Sequence, residues 1–86
     1  MVKVALLVGV SQYQKGFHPL PSALKDVAGM ERVLCHAKIG GFDQVIPLIN
    51  PNRQQLEMAI FNLFYNRGAE DLLLFYFSGH GIKDQD

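Results

Sequence analysis

An α/β fold built on a mostly parallel sheet is predicted by three features of this sequence. Two apolar runs, Val2–Val10, broken near its start by Lys3, and Leu72–Phe77, lack the alternation of a half-exposed strand and read as strands covered on both faces. Two segments between them carry apolar residues at steps of three and four, which is the helical period. A short third strand between those helices completes the order β-α-β-α-β, and right-handed crossovers then give strand order 2-1-3 with one helix on each face of the sheet.

Each element has its own signals. Val2–Val10 is closed by Gly9 and Ser11, and a loop follows through Pro21. Ser22 is suited to cap a helix from about Ala23 to Lys38, whose stripe is Ala23, Val27, Met30, Leu34 and Ala37, and Gly40-Gly41 ends it. Val45–Ile49 is the short strand; Pro47 has no N–H to give to a ladder, so the strand belongs at an edge, where order 2-1-3 puts it. Asn52 and Gln55 have the spacing of a capping box, and Leu56, Ala59, Ile60, Leu63 and Phe64 form the buried stripe of the second helix, stopped by Gly68. Asp71 opens the last strand, which breaks at Ser78-Gly79-His80-Gly81.

Composition narrows the function classes. The chain has 86 residues and 9.6 kDa, with eight Lys+Arg against eight Asp+Glu and 49% hydrophobic residues. A chain of this length buries roughly 60–65% of its unfolded surface, near the low end of self-sufficient folding, so it is one domain at most. Zero formal net charge gives no electrostatic footprint for nucleic acid. The longest apolar runs fall far short of the roughly 20 residues of a membrane span. Lys3 with Val4–Val10 has the look of a short signal peptide, but no small-residue cleavage site follows. A single cysteine, Cys35, forms no intramolecular disulfide, and the expected setting is a reducing one, the cytoplasm.

In sheets of this kind ligands bind beyond the carboxyl ends of the strands, at the switch point between the first and third. Gly9-Val10-Ser11, Ser78-Gly79-His80-Gly81 and the amino end of the first helix, with Asp26 in its first turns, all converge there. A histidine between two glycines, directly after a buried strand, is fixed by the strand while its backbone is free to turn sharply. An imidazole with a pKa near 6.5 suits proton transfer at neutral pH, and the N–H of Gly81 is available to a developing oxyanion. The same pattern also serves as a plain turn, and a single histidine without a partner carries little alone.

The stretch from Lys3 through Gly81 resembles the N-terminal, large-subunit part of a caspase-like cysteine peptidase domain, closest to the bacterial and metacaspase branch. The matching residues are Ala5-Leu6-Leu7-Val8-Gly9-Val10 with Tyr13, Leu20-Pro21-Ser22-Ala23-Leu24-Lys25-Asp26-Val27, and Asp71-Leu72-Leu73-Leu74-Phe75-Tyr76-Phe77-Ser78-Gly79-His80-Gly81. The resemblance implies a fragment of the caspase-like three-layer sandwich. It also implies that His80 belongs to a Cys-His dyad and that Gly81 contributes to the oxyanion hole. In metacaspase-like members the positions of Asp26 and Ser78 line a pocket for Arg or Lys before the scissile bond. A carboxylate in a partly closed pocket selects a cation by charge and hydrogen bonding. Without the resemblance, Asp26 reads as a partner of the helix dipole.

One departure matters. The caspase signature places the histidine about 50 residues upstream of its cysteine, and these 86 residues run only six beyond His80. Residues 1–86 are therefore expected to be a single partial domain, hydrolytically inert without a nucleophile supplied elsewhere. Cys35 does not fill that role, because side chains of helical neighbours Cys35 and His36 diverge by roughly 100°; Cys35 reads as core. His18, in a loop at the same edge, reads as solvated, and His36 as helix surface. Asp84 and Asp86 have the spacing that opens a calcium loop without its later ligands. No metal or cofactor is expected, although the resemblance allows calcium in some members. Ser78 lacks the glycines of a serine-hydrolase elbow, and Gly9-Val10-Ser11-Gln12 those of a dinucleotide fingerprint.

Two functions remain: half of a cysteine endopeptidase acting on a peptide or protein substrate, or a non-catalytic interaction module on the same fold. In both, Leu72–Phe77 lacks a neighbour on one side, so the missing half or self-association through this strand is expected to cover it.

Overall fold

The computed structural model describes residues 1–11 and 21–79. Its elements are β1 (Lys3–Gly9), α1 (Pro21–Cys35), β2 (Gln44–Ile49), α2 (Arg53–Phe64) and β3 (Leu72–Ser78). The strands form one parallel sheet in the order β2-β1-β3, as expected. Val4 to Val8 of β1 are at most 1% exposed. Each fully buried aliphatic side chain of this kind contributes about 1.5–3 kcal/mol relative to exposure, so β1 is the main apolar investment of the fold.

Alternation along β1 divides that core into two layers. Val4, Leu6 and Val8 point to one face and pack with Leu63 of α2, joined by Ile46, Leu48, Leu56, Ala59, Ile60 and Leu73. Ala5 and Leu7 point to the other and pack with Val27 and Leu34 of α1, joined by Met30, Val45, Leu74 and Tyr76. The helices thus lie on opposite faces, the outcome that right-handed crossovers impose when the second connection reverses the direction of the first.

Local chemistry sets most boundaries. The capping box is formed: Gln55 N donates to Asn52 Oδ1 at 2.7 Å, and Asn52 N donates to Gln55 Oε1 at 2.9 Å. Pro47 sits opposite Leu7, and Asn50 N donates to Gly9 O at 2.8 Å. Period-two alternation from Asn50 turns residues 44, 46 and 48 toward β1, so the missing donor of Pro47 falls on the outer edge.

Several expectations are corrected. α1 begins at Pro21, where proline's fixed φ and absent N–H suit a first helical turn, so Ser22 lies inside the helix and does not cap it. It ends at Cys35 rather than near Lys38, and Ala37 is exposed. The reason is a tight return: Gly40 packs against the backbone of Leu34, and a Cβ there would meet Leu34 Cα at 2.5 Å. Cys35 is exposed, not core, because it follows buried Leu34 by one residue and so turns away from the sheet. α2 stops at Phe64, before Gly68: Tyr65 is extended, Asn66 takes φ 56°, and Arg67 Nε donates to Leu63 O at 2.8 Å. Phe64 is 60% exposed, one residue off the stripe that ends at Leu63.

Polar side chains seal the amino ends of the strands. Asp43 Oδ2 accepts from Lys3 N at 2.8 Å, and Lys3 Nζ donates to Gly40 O while lying 5.0 Å from the Phe42 ring centroid. Asp71 accepts from Val2 N at 3.0 Å and from Gly68 N at 2.9 Å. The bond from Gly68, then that from Val2, hold the Asp71 carboxyl below its usual range; the chain's amino terminus and Arg67 add to this, and partial burial opposes it.

A lowered carboxyl pKa stabilises the fold above the unfolded-state value, near 3.9, and that stability is lost as pH falls through the folded-state value. Asp71→Asn is expected to flatten the decline in stability on acidification below about pH 5, read by urea unfolding at several pH values. An unchanged acid limb would count against the assignment. At the other end of β1, a Cβ on Gly9 would meet Val27 Cγ2 at 2.8 Å and Ala23 O at 3.3 Å. Gly9→Ala is expected to lift α1 from the sheet and lower unfolding stability by about 1–3 kcal/mol.

Candidate active site

Because all three strands run parallel, their carboxyl ends share one edge, and α1 returns antiparallel so that its amino-terminal half lies beside it. Register fixes who meets whom. Gly9 lies opposite both Ile49 and Ser78, and Val10 N extends the ladder to Ser78 O at 2.9 Å. Ser78 follows Leu74 and Tyr76 on the face that α1 covers.

There the two expected pocket residues come together. Ser78 Oγ donates to Asp26 Oδ2 at 2.9 Å, across 52 positions of sequence. Asp26 is exposed and Ser78 half-buried, so the pair sits at the carboxyl edge of the sheet rather than inside the core. Asp26 lies in the second turn of α1, whose first turn holds no acidic residue. The helix dipole acts mainly within the first turn. A dipole role is therefore a weaker account of Asp26 than its bond to the end of β3.

Asn50 is the residue at this edge that sequence reasoning missed. Its Oδ1 accepts from Ser11 N at 2.8 Å and its Nδ2 donates to Ser11 Oγ at 3.1 Å. Ser11 is 5% exposed, so these bonds satisfy polar groups that burial would otherwise leave costly. Asn50 adopts φ 49°, a conformation asparagine tolerates better than most residues. The signal was available in Asn50-Pro51, a turn-forming pair directly after a strand. Its effect is to tie the end of β2 to the residues that follow β1, on the side of the edge away from Asp26 and Ser78.

His80 and Gly81, the expected catalytic pair, lie outside the described residues, as do His18, Asp84 and Asp86. β3 and Gly79 lead directly to His80 in sequence. Cys35 is at the other end of α1, about 14 Å from Asp26 along the helix axis at 1.5 Å per residue, so it does not join this edge. His36 is exposed just past the helix, with Nδ1 accepting from Lys38 N at 3.1 Å. Among the described residues no three His, Cys, Asp or Glu side chains are grouped to hold a metal ion, and no helix is long and apolar enough to cross a membrane.

The family model for the caspase domain matches residues 2–86. Neither a curated protein nor a solved structure matches the chain significantly. Peptidases of that family need no cofactor, and a caspase domain implies protein substrates. The match spans every element of the sheet and both helices, and with it the chain belongs to the caspase-domain family of peptidases.

Proposed function

We propose that residues 1–86 form the histidine-bearing, N-terminal part of a caspase-like cysteine endopeptidase of the bacterial metacaspase type, working in the cytoplasm. His80 acts as general base and acid. It takes the proton of a cysteine thiol supplied from outside these residues, the thiolate attacks the scissile carbonyl, and the imidazolium returns the proton to the leaving amine; water then hydrolyses the thioester. The Gly81 N–H stabilises the oxyanion. Asp26, held by Ser78, selects Arg or Lys before the scissile bond.

The observation that carries this reading is the Ser78–Asp26 hydrogen bond at the carboxyl end of β3, two residues before His80 in sequence. A second observation supports a further segment. Passing beyond β3 in the direction already taken from β2 to β3, a right-handed crossover puts the next helix on the α2 face. That face of β3 is bare: Phe75 and Phe77 are 45% and 39% exposed. By this reading the 86 residues alone are inert.

Reconstituted with a segment that supplies the cysteine and its strand, the chain is expected to cleave Arg- or Lys-containing reporter peptides. His80→Ala should abolish turnover, and Asp26→Asn should lower kcat/KM for basic reporters by about 10- to 100-fold, the worth of a hydrogen bond to a charged group. Turnover surviving His80→Ala would refute the catalytic assignment. Cleavage confined to sites after Asp would refute the basic pocket. Translation of the DNA beyond codon 86 tests the same proposal independently: an apolar strand ending near a cysteine favours it, and its absence favours an interaction module.

A further inference from the structure

At the carboxyl edge the chain turns away from β2 sooner than it leaves the line of β1. The last aligned pair on that side is Gly9 with Ile49, and Asn50 N closes the backbone ladder on Gly9 O at 2.8 Å. Parallel pairing would next bring the backbone carbonyl of Asn50 to Ser11 N. Asn50 instead takes φ 49°, and Pro51 and the α2 cap Asn52 follow at once. Its side chain fills the place the backbone has left: Asn50 Oδ1 accepts from Ser11 N at 2.8 Å, and Asn50 Nδ2 donates to Ser11 Oγ at 3.1 Å. Val10 and Ser11 are thereby kept in line with β1 beyond the end of its pairing with β2.

The effect reaches the opposite side of β1. Backbone groups alternate along a strand, so Ser11 faces β2 while Val10 faces β3, where Val10 N donates to Ser78 O at 2.9 Å. Ser78 Oγ in turn donates to Asp26 Oδ2 at 2.9 Å. A path of hydrogen bonds and one peptide link thus crosses the whole edge, from Asn50 through Ser11, Val10 and Ser78 to Asp26. Ser11 is 5% exposed, so water does not readily replace the carboxamide if it is removed.

We infer that Asn50 is a positioning residue for the proposed pocket: its carboxamide stands in for the next β2 carbonyl, holds Val10 and Ser11 in line, and through the Val10–Ser78 bond sets where Ser78 meets Asp26. Without it the segment after Gly9 is held from the β3 side alone, and the end of β3 loses the fixed donor against which it is aligned. The consequence for substrate rests on the reading of Asp26 and Ser78 as a site for Arg or Lys; the tether itself does not.

Asn50→Gly leaves the left-handed backbone open and deletes the carboxamide, whereas Asn50→Asp keeps acceptors for both the Ser11 amide and the Ser11 hydroxyl. Hydrogen exchange on the 86-residue chain reads the tether. Asn50→Gly should cost the Val10 and Ser11 amides about tenfold more protection than Leu6 and Val8, and Asn50→Asp should restore most of it. Should Asn50→Gly fail to fold, Ser11→Ala removes the Oγ bond alone and should show the same pattern at roughly threefold. A loss confined to Ser11, or equal along β1, overturns the proposal.

Kinetics of the reconstituted enzyme read the pocket. Asn50→Gly should raise KM for arginine reporters about 3- to 10-fold with kcat held within about twofold, and Asn50→Asp should bring KM back. Added to Asp26→Asn, it should change KM by less than about twofold, because the charge being positioned is gone. A fall in kcat at unchanged KM reports fewer folded molecules and overturns the positioning role. If Asp26→Asn leaves cleavage of basic reporters unchanged, the pocket reading fails by itself, and the exchange pattern still decides whether Asn50 holds Val10 to Ser78.

Discussion

Val4 to Val8 cannot remain out of water unless something covers both faces of β1 and both of its edges. Every other element answers one of those four requirements. α1 and α2 cover the faces, β2 and β3 the edges, and the same pairing sets the register in which Gly9, Ile49 and Ser78 end together. The position of the candidate site is thus a consequence of burying β1. Gly9 shows how closely the two are linked, because the absence of a side chain there is what lets α1 lie near enough for Asp26 to reach Ser78.

The two ends of the sheet are finished differently. At the amino end Asp43, Asp71 and Lys3 tie backbone groups of three different segments, using each carboxylate locally. At the carboxyl end Asn50 performs a similar service for Ser11 with an uncharged side chain. Among the described residues the carboxylate bonded at that end is Asp26, and its partner is a hydroxyl. A carboxylate opposite Lys or Arg would be neutralised by its partner. Ser78 brings no opposite charge to it, and an unneutralised carboxylate is what attracts a cation from solution.

The sheet was legible because its signals are redundant. Val2–Val10 and Leu72–Phe77 lack any alternation that would allow another face to be exposed, Pro47 is compatible with one edge only, and the handedness rule supplies the strand order. What misled lay at helix ends and one residue to either side of a stripe. Leu34 and Cys35, or Leu63 and Phe64, are adjacent apolar residues, and periodicity of three and four does not say which of two neighbours faces inward until the axis is fixed by packing. Gly40 and Gly68 signal where a helix cannot continue; the helices stop earlier because the chain must turn back onto β1 and because Arg67 takes the last carbonyls. Within the site, Asp26 and Ser78 were found by their place in a pattern, whereas Asn50 was missed because its work is done by a carboxamide whose partner, Ser11, is 39 positions away.

The geometry of the Asp26 carboxylate bears on which cation would suit it. Ser78 Oγ occupies one acceptor position on Oδ2, and a carboxylate offers about four. A guanidinium fork needs one further position on each oxygen, so the serine bond does not obstruct bidentate docking and fixes the plane in which it would occur. An ammonium gains less, since a point charge has little use for a fixed plane. Holding the acceptor in place before the ligand arrives removes part of the rotamer entropy that binding would otherwise cost, on the order of 0.5–1.5 kcal/mol for one side chain. In the proposed pocket Ser78 is thus better placed to favour arginine over lysine than to raise affinity for both alike, and in sequence it stands two residues before His80, the proposed general base.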